Sequence, residues 1–127
     1  MSETVPVLED GDAQKPIPSV WRGTFSDIVD ALKQEDYGLA QRIAGVRPIS
    51  TECAISIASN IKSYGARLTS LPEETWQTSV CQWMGSYWDV LVDLYTIEEG
   101  ASDLALAARV YQEDSAYVFE VQLVYVP

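Results

Sequence analysis

The sequence predicts an α+β fold in which two to three N-terminal helices pack on one face of a four- to five-stranded antiparallel meander sheet. Apolar residues recur with helical spacing as far as Gly65 and alternate with a period of two after it. Turn residues separate the alternating segments, so each strand leads into the next by a short connection. Short connections of this kind are typical of antiparallel strands.

The chain of 127 residues, 47% of them hydrophobic, has the length and composition of one domain with its own core. Residues 1–20 are rich in proline and acids, so we expect a flexible acidic arm that contributes no core, followed by a single α+β domain over 21–127. No apolar run approaches the roughly 20 residues that cross a bilayer, and the acidic start does not resemble a signal peptide. A cytoplasmic protein is therefore expected.

Three segments have the apolar spacing of amphipathic helices. The first covers about 24–35, with a capping residue at Thr24 or Ser26. A shorter segment of one or two turns is predicted within 36–46. The third begins at Ser50 or Thr51 and ends at Gly65, a residue that suits the left-handed position after a helix.

The segment from Trp88 to Thr96 is predicted to be the central strand. Trp88, Val90, Val92 and Leu94 alternate along it and should face the core. In the last two strands the predicted inward residues are Leu104, Leu106, Ala108, Val110, Phe119, Val121, Leu123 and Tyr125. The predicted strands are Ala66–Leu71, Trp76–Met84, 87–96, Asp103–Tyr111 and Tyr117–Val126.

The absence of histidine excludes several chemistries. Neither a Ser-His-Asp or Cys-His nucleophile system nor a His-ligated metal site can form. Cys53 and Cys81 have no CxxC spacing, and we interpret them as small buried hydrophobic residues, with a disulfide or a reactive thiol as the alternative. We expect no cofactor and no metal site.

The net charge of −11 is unevenly distributed. Residues 73–127 carry ten acids and one base, whereas residues 37–72 carry four bases and one acid. Because nucleic acids and anionic membranes bind through clustered Lys and Arg, neither is an expected partner. A basic protein partner agrees with this charge, although solubility alone would also explain it. The oligomeric state is left open.

The face of the predicted sheet that points away from the core carries the candidate functional residues. Three interpretations are open: an ordinary solvated face, a protein-binding face anchored by tyrosine and arginine, or a pocket in which paired carboxylates act beside a tyrosine. The residues on this face are Asp89, Leu91, Asp93, Tyr95, Arg109, Tyr111, Glu120 and Gln122.

Glu98, Glu99 and Asp103 form an acidic hairpin tip that would extend a protein-binding surface. This loop lacks the spacing of a calcium-binding loop, so solvated acids are the simpler interpretation. The three tryptophans within 76–88 are interpreted as core and rim residues, with ligand stacking as the alternative.

The sequence WDVLVDLYTIEEGASDLAL, together with the closing VYVP, resembles a family of short, acidic bacterial proteins classed as a domain of unknown function. The resemblance covers Trp21 to Pro127, and LPEETW (71–76) and EEGASDL (98–104) are its most distinctive parts. It implies a bacterial origin and no catalytic residues.

Two function classes follow. The first is a non-enzymatic protein-binding module, most concretely an immunity-type inhibitor that masks a basic partner surface. The second is a small-molecule-binding or isomerase/dehydratase-like pocket protein with a helices-plus-curved-sheet, NTF2-like architecture. An enclosed pocket containing Asp89 or Asp93 would favour the second class, and a flat or convex acidic face the first.

Overall fold

A computed structural model describes residues 4–39 and 42–127 of the chain. Its five strands form one antiparallel sheet in the order β1-β2-β3-β4-β5. The α+β class and the strand number agree with the prediction, and β3 lies at the centre as expected. The elements are β1 (Lys15–Pro16), α1 (Ser19–Lys33), α2 (Thr51–Tyr64), a 3₁₀ helix (Glu73–Gln77), β2 (Val80–Trp83), β3 (Trp88–Thr96), β4 (Gly100–Glu113) and β5 (Ala116–Tyr125).

Helix α1 begins earlier than the sequence predicted, directly after Pro18. Trp21 lies one turn before Phe25 and is fully buried, so it extends the apolar stripe towards the N-terminus. Thr24 and Ser26 are therefore interior residues of the helix and not its caps, which corrects the predicted boundary.

The short helix predicted within 36–46 is not found among the described residues, and residues 40 and 41 of it lie outside them. Glu35 and Leu39 have φ angles of 64° and 54°, which a right-handed helix does not allow. Residues 45–47 instead run along β5. The Arg47 N–H donates to the Phe119 carbonyl at 2.9 Å, and the Phe119 N–H donates to the carbonyl of residue 45 at 2.8 Å.

Helix α2 forms as predicted. Ser50 is the N-cap and its hydroxyl accepts from the Cys53 N–H at 3.2 Å, while Gly65 closes the helix with a φ of 83°. The helix also covers the edge of β5: Asn60 Nδ2 donates to the Val124 carbonyl at 2.8 Å. An unpaired strand edge invites association with other strands, and this cover removes part of that edge.

One predicted strand is absent from the structure and another is shorter. In place of the strand Ala66–Leu71 there is a single bridge between Leu68 and Thr96. Trp76 belongs to the 3₁₀ helix, and β2 starts only at Val80. A proline followed by two acids opens the 3₁₀ helix, and such residues favour the first turn of a helix over a strand.

The inward residues predicted for β3 and β4 are all buried. In β5 the alternation changes at a bulge, because Ala107 pairs with Leu123 whereas Ala108 pairs with Val121, which leaves Gln122 as the extra residue. Val124 is consequently the buried residue. The prediction that Leu123 and Tyr125 point inward is wrong, since a bulge reverses the alternation beyond it.

The N-terminal segment takes part in the core. Ile17 is fully buried, and β1 pairs with β2 through Lys15 and Pro16. The indole N–H of Trp88 donates to the Leu8 carbonyl at 2.9 Å. The expectation that residues 1–20 contribute no core is therefore wrong for Ile17.

The tryptophans pack as core and rim residues. Trp21 and Trp88 are buried with their rings 5.2 Å apart in an edge-to-face arrangement, and the Trp83 ring lies 4.5 Å from that of Trp88 in a tilted arrangement. Trp76 is also buried. Among the residues that the structure describes, no helix is long and apolar enough to cross a membrane.

Candidate functional site

The sheet has an inner face against the helices and a face opposite to it, which we call the outer face. Side chains of the outer face alternate with the buried stripe along each strand, so their positions follow from the strand register. The outer-face residues are Val80, Gln82, Asp89, Leu91, Asp93, Tyr95, Ala105, Ala107, Arg109, Tyr111, Val118, Glu120, Leu123 and Tyr125.

Four side chains form a stack at one end of the outer face, which we call the arginine–tyrosine stack: Tyr87, Arg109, Tyr111 and Arg47. The Arg109 guanidinium lies over the Tyr87 ring at 4.5 Å, and the rings of Tyr87 and Tyr111 are 5.6 Å apart. The Arg47 guanidinium lies over the Tyr111 ring at 4.9 Å. Two cations and two aromatic rings are thus held in mutual contact.

Carboxylates flank both arginines of the stack. Arg109 Nε is 3.5 Å from Asp89 Oδ1, its partner in the β3–β4 register. Arg47 contacts Glu120 at 2.7 Å and Glu113 at 3.0 Å. The acidic character that the sequence predicts at this end of the face is therefore largely neutralised by the two arginines.

The contact with Arg47 affects the pKa of Glu120. Partial burial pushes the pKa of its carboxyl upward, but the hydrogen bonds from Arg47 and Gln122 outweigh burial and lower the pKa below its ordinary value. The carboxylate form of Glu120 is consequently favoured in the folded protein.

Single contacts in this stack are weak, but together they fix its geometry. An exposed ion pair contributes about 0–1 kcal/mol, and an exposed cation–π contact contributes about 0.5–1 kcal/mol. Each side chain of the stack is held by more than one such contact, so little rotamer entropy is left to lose on binding. The stack is therefore a preorganised surface of arginine and tyrosine, the residue types that dominate binding hot spots.

An open groove of about 380 Å³ lies next to the stack on the same face. Ala107 lies between longer neighbours on β3 and β5, and its small side chain leaves the depression. Leu91 and Val80 extend this apolar floor. Polar groups line the rest of the groove: Gln14, Gln82, Asp89, Arg109, Gln122 and Tyr125.

The structure brings together only part of the predicted site. Asp89, Arg109, Tyr111 and Glu120 lie at the same end of the outer face. Asp93 is four residues from Asp89 along β3, about 13 Å at the rise of an extended strand. The carboxylate pair that the pocket interpretation requires is therefore not formed by these two residues.

Tyr95 and the hairpin acids lie towards the opposite end of the sheet, where Thr96 pairs with Gly100. Glu98 binds Arg67 at 3.0 Å, and its pKa is lowered chiefly by the hydrogen bond from the Arg67 backbone N–H. The hydroxyl of Tyr64 accepts from the Asp103 N–H at 3.1 Å. A hydrogen bond with Glu99 is the main reason that the pKa of Tyr64 is raised. These acids form a second polar cluster, separate from the arginine–tyrosine stack.

Sequence reasoning placed Asp89, Leu91, Arg109 and Gln122 on this face. It missed Arg47 and Tyr87 of the stack and the groove residues Gln14, Val80, Gln82, Ala107 and Tyr125. Arg47 comes from the segment that runs along β5. Its partners on β4 and β5 are distant in the chain, so the spacing of residues in the sequence does not indicate these contacts. The two alanines on the outer face of β4, Ala105 and Ala107, are a signal that was available, because small residues in the middle of a sheet face create a depression.

Another groove, of about 750 Å³, lies between the C-terminal ends of α1 and α2. Two of its cations already have partners: Lys33 donates to the Ser70 hydroxyl at 3.3 Å, and Arg67 binds Glu98. Lys33 and Lys62 also lie in the last turns of the two helices, where a cation suits the helix dipole. These contacts account for the basic residues of this groove without a ligand.

Both cysteines are free thiols; Cys81 is buried as predicted, whereas Cys53 is only partly buried. Burial raises the pKa of Cys81 to about 11 and also raises the pKa of Cys53. A raised pKa keeps the thiol protonated and unreactive at neutral pH. Within residues 4–39 and 42–127, no group of three potential metal ligands occurs.

The fold and this face define a small α+β domain with one sheet face covered by helices and the other bearing a polar and aromatic surface. Residues 29–127, more than half of the chain, match the family model of a domain of unknown function, DUF7668, and the chain belongs to that family. This confirms the resemblance to a domain of unknown function. The search of curated proteins and the search of solved structures gave no match.

Proposed function

We propose that this protein is a non-enzymatic binding module that recognises a basic protein partner through its outer sheet face. The basic character of the partner rests on the acids without an ion pair among the described residues, Asp93, Glu99 and Asp103. The observation that carries the binding role is the arginine–tyrosine stack beside an open groove. Such a surface presents rigid aromatic and guanidinium groups to a partner at low entropic cost. An immunity-type inhibitor that masks a basic surface is the most concrete form of this function.

Electrostatics support a basic partner. Residues 73–127, which form β2 to β5, carry ten acids and only one base. Arg47 and Arg67 form ion pairs with three of these acids and offset two of their charges, and Arg109 pairs with a fourth. No ion pair engages Asp93, Glu99 or Asp103 within the described part of the chain. The remaining negative field would steer a cationic partner and raise its association rate.

The experiment is affinity capture from a lysate of the source organism, followed by association kinetics at rising salt. We expect the captured partner to be basic and to associate more slowly as salt increases. Replacing Asp89 and Asp93 together by lysine should weaken binding without unfolding the domain, as judged by circular dichroism.

The matched control is the double substitution Asp27→Lys with Glu52→Lys, which changes the net charge equally but lies on the helices. It should affect binding much less than the outer-face substitutions. A partner that is indifferent to salt and to the substitutions at Asp89 and Asp93 would refute the proposal.

Small-molecule binding is the second candidate. A volume of about 380 Å³ is within the range of about 300–1,000 Å³ for ligand pockets, and Asp89 lies in its wall. The groove is open, however, and it is on the helix-free face, while the space between helices and sheet is packed with core side chains. A ligand that raises the melting temperature and is lost on Leu91→Trp, which would fill the groove, would favour this candidate.

A further inference from the structure

Strand β2 has one edge paired with β3 and a second edge on the side of β1. The Met84 N–H donates to the Tyr87 carbonyl at 2.8 Å across the β2–β3 hairpin. Because the backbone groups of an antiparallel strand point alternately to its two sides, Gln82 also bonds to β3, whereas Cys81 and Trp83 direct their N–H and C=O groups to the β1 side. Both Cys81 and Trp83 are therefore oriented to pair with a strand on this side.

Strand β1 pairs with only the first of these two residues. Lys15 lies opposite Cys81, and the pairing does not extend further because residues 12–13 form a bend. None of residues 4–14 forms a backbone hydrogen bond with Trp83. Backbone groups that lack a strand partner at the edge of a sheet are a site at which another strand can pair.

Residues 8–16, which we call the cover, lie over this edge. The Gln82 side chain donates to the carbonyl of Gly11 at 3.0 Å. A Cβ added at Gly11 would lie 3.0 Å from the Trp83 carbonyl oxygen. The cover thus approaches the edge closely without using the backbone hydrogen bonds of Trp83.

The two ends of the cover are anchored outside it. The Ser19 N–H donates to the Val5 carbonyl at 3.0 Å, and the Val5 N–H donates to the Ser19 hydroxyl at 2.7 Å. At the other end Ile17 is fully buried. Between these anchors, the hydrogen bond from the Trp88 indole to the Leu8 carbonyl is the contact that a new strand has to offset. The cover can therefore lift while the core stays in place.

A new strand would replace the cover and would not add to it. Strand β1 consists of Lys15 and Pro16, and these residue types protect exposed strand edges, since proline has no N–H to donate. Strand β2, with the sequence VCQW, contains neither a charge nor a proline. Its edge accepts a strand once the cover has moved.

The two faces of the sheet determine which side chains suit the added strand. Residues opposite each other in a ladder point to the same face, so those opposite Cys81 and Trp83 point to the inner face, where Cys81 is buried. The residue opposite Gln82 lies on the outer face, in the negative field of residues 73–127, which carry ten acids and one base. A strand that alternates apolar and basic residues matches both faces.

We propose that the β1 side of β2 binds an extended strand of a partner protein, which takes the place of the cover and extends the sheet. This strand alternates apolar and basic side chains, and its backbone pairs with both Cys81 and Trp83. The interaction goes beyond the proposed function, because it uses the edge of the sheet and not the arginine–tyrosine stack.

Three blocked heptapeptides test the edge without the partner. The first alternates lysine and valine, the second has glutamate in place of lysine, and the third has N-methylvaline in place of valine, which removes the donors that would face Cys81 and Trp83. Each is titrated into the ¹⁵N-labelled full chain, and hydrogen exchange of the Trp83 amide is followed by NMR. With the lysine–valine peptide at ten times its dissociation constant, exchange should slow about tenfold, because it takes place from the unbound fraction.

The other two peptides should leave the exchange of the Trp83 amide unchanged. Equal protection by the N-methylated peptide would show that backbone pairing is not the cause, and equal protection by the glutamate peptide would show that a basic strand is not preferred. Either result would overturn the proposal, as would a lysine–valine peptide that shifts signals without protecting Trp83.

Gly11→Val and Gly38→Val form a matched pair of variants. Valine at position 11 meets the Trp83 carbonyl and should lift the cover, whereas a Cβ added at Gly38 meets open space. Because the cover competes with the peptide, Gly11→Val should lower the dissociation constant of the lysine–valine peptide about threefold or more, and Gly38→Val should change it by less than about twofold. Equal effects of the two variants, with native circular dichroism in both, would contradict the proposal.

Discussion

Val92 and Leu91 are neighbours on β3 with opposite orientations. Val92 is fully buried in the core, whereas Leu91 lies on the floor of the open groove. Val92→Asp would bury an unpaired carboxylate, at a cost of several kcal/mol against a typical stability of about 5–15 kcal/mol. We predict that this variant is largely unfolded by circular dichroism.

Leu91→Asp is the control for this prediction, since its carboxylate remains in contact with water in the groove. This variant should keep the native spectrum and unfold cooperatively in urea. Equal tolerance of the two substitutions would contradict the orientation of β3.

Because of Cys81, we expect the free energy of unfolding to depend on pH in the alkaline range. Burial raises its pKa to about 11, above the value of about 8.5 for a free thiol. The folded state therefore holds the proton more tightly than the unfolded chain. The stabilisation from this group is complete below pH ~8.5 and is lost as the pH rises towards 11.

Within this window Cys81 should contribute a fall of up to about 1.4 kcal/mol per pH unit to the free energy of unfolding. Urea unfolding of the wild type and of Cys81→Ala at several pH values gives the free energy of unfolding as a function of pH for each protein. The difference between the two slopes is the contribution of Cys81, because the tyrosines titrate in both proteins and cancel. Identical slopes would show that the thiol is not buried as described.

At the scale of elements, the N-terminal segment is the clearest departure from expectation. Ile17 is fully buried next to the start of α1, whereas Val20, three residues later, is 66% exposed. Ile17→Ala should lower the free energy of unfolding by about 2–5 kcal/mol, the usual cost of deleting a buried aliphatic side chain. Val20→Ala should change it by less than about 0.5 kcal/mol.

Chemical denaturation of both variants decides whether the segment is docked. A small and equal effect would mean that residues 4–17 detach from the sheet in solution. Because the family match begins at residue 29, a large effect at Ile17 would also show that the folded unit extends beyond the matched region.

The elements that the sequence predicted well are those whose signal is local. Alternation located β3 and β4, and a capping serine together with a terminal glycine located α2. The bulge at Gln122 gave no such signal, because it depends on the register with β4. Proline and acidic residues at the N-terminus indicated a solvated arm. The segment is nevertheless docked, because the side chain of Ile17 is buried in the core.

The candidate site was predictable only in part for the same reason. Alternation on β3 and β4 placed Asp89, Arg109 and Tyr111 on one face, and the structure confirms this. Arg47 reaches the site from a segment that is distant in the chain. The groove arises because the side chain of Ala107 is smaller than those of its neighbours on β3 and β5. Neither feature follows from the period of a single strand.

For the whole molecule, the ion pairs reduce the charge separation that the sequence suggests. Two of the four bases in residues 37–72, Arg47 and Arg67, bind acids of the C-terminal half. The negative field is consequently weaker around the arginine–tyrosine stack than the residue counts imply. We infer that electrostatics guide the approach of a partner and that the stack and groove supply the short-range contacts.

Mapping the captured partner onto this chain by NMR tests the central claim, that the outer face is the binding surface. Amide signals of the ¹⁵N-labelled protein are compared with and without the unlabelled partner. We predict that changes concentrate at Tyr87, Asp89, Arg109 and Tyr111. Changes concentrated instead on the exposed side of α2, around Glu52 and Ile55, with the outer face unaffected, would contradict the account.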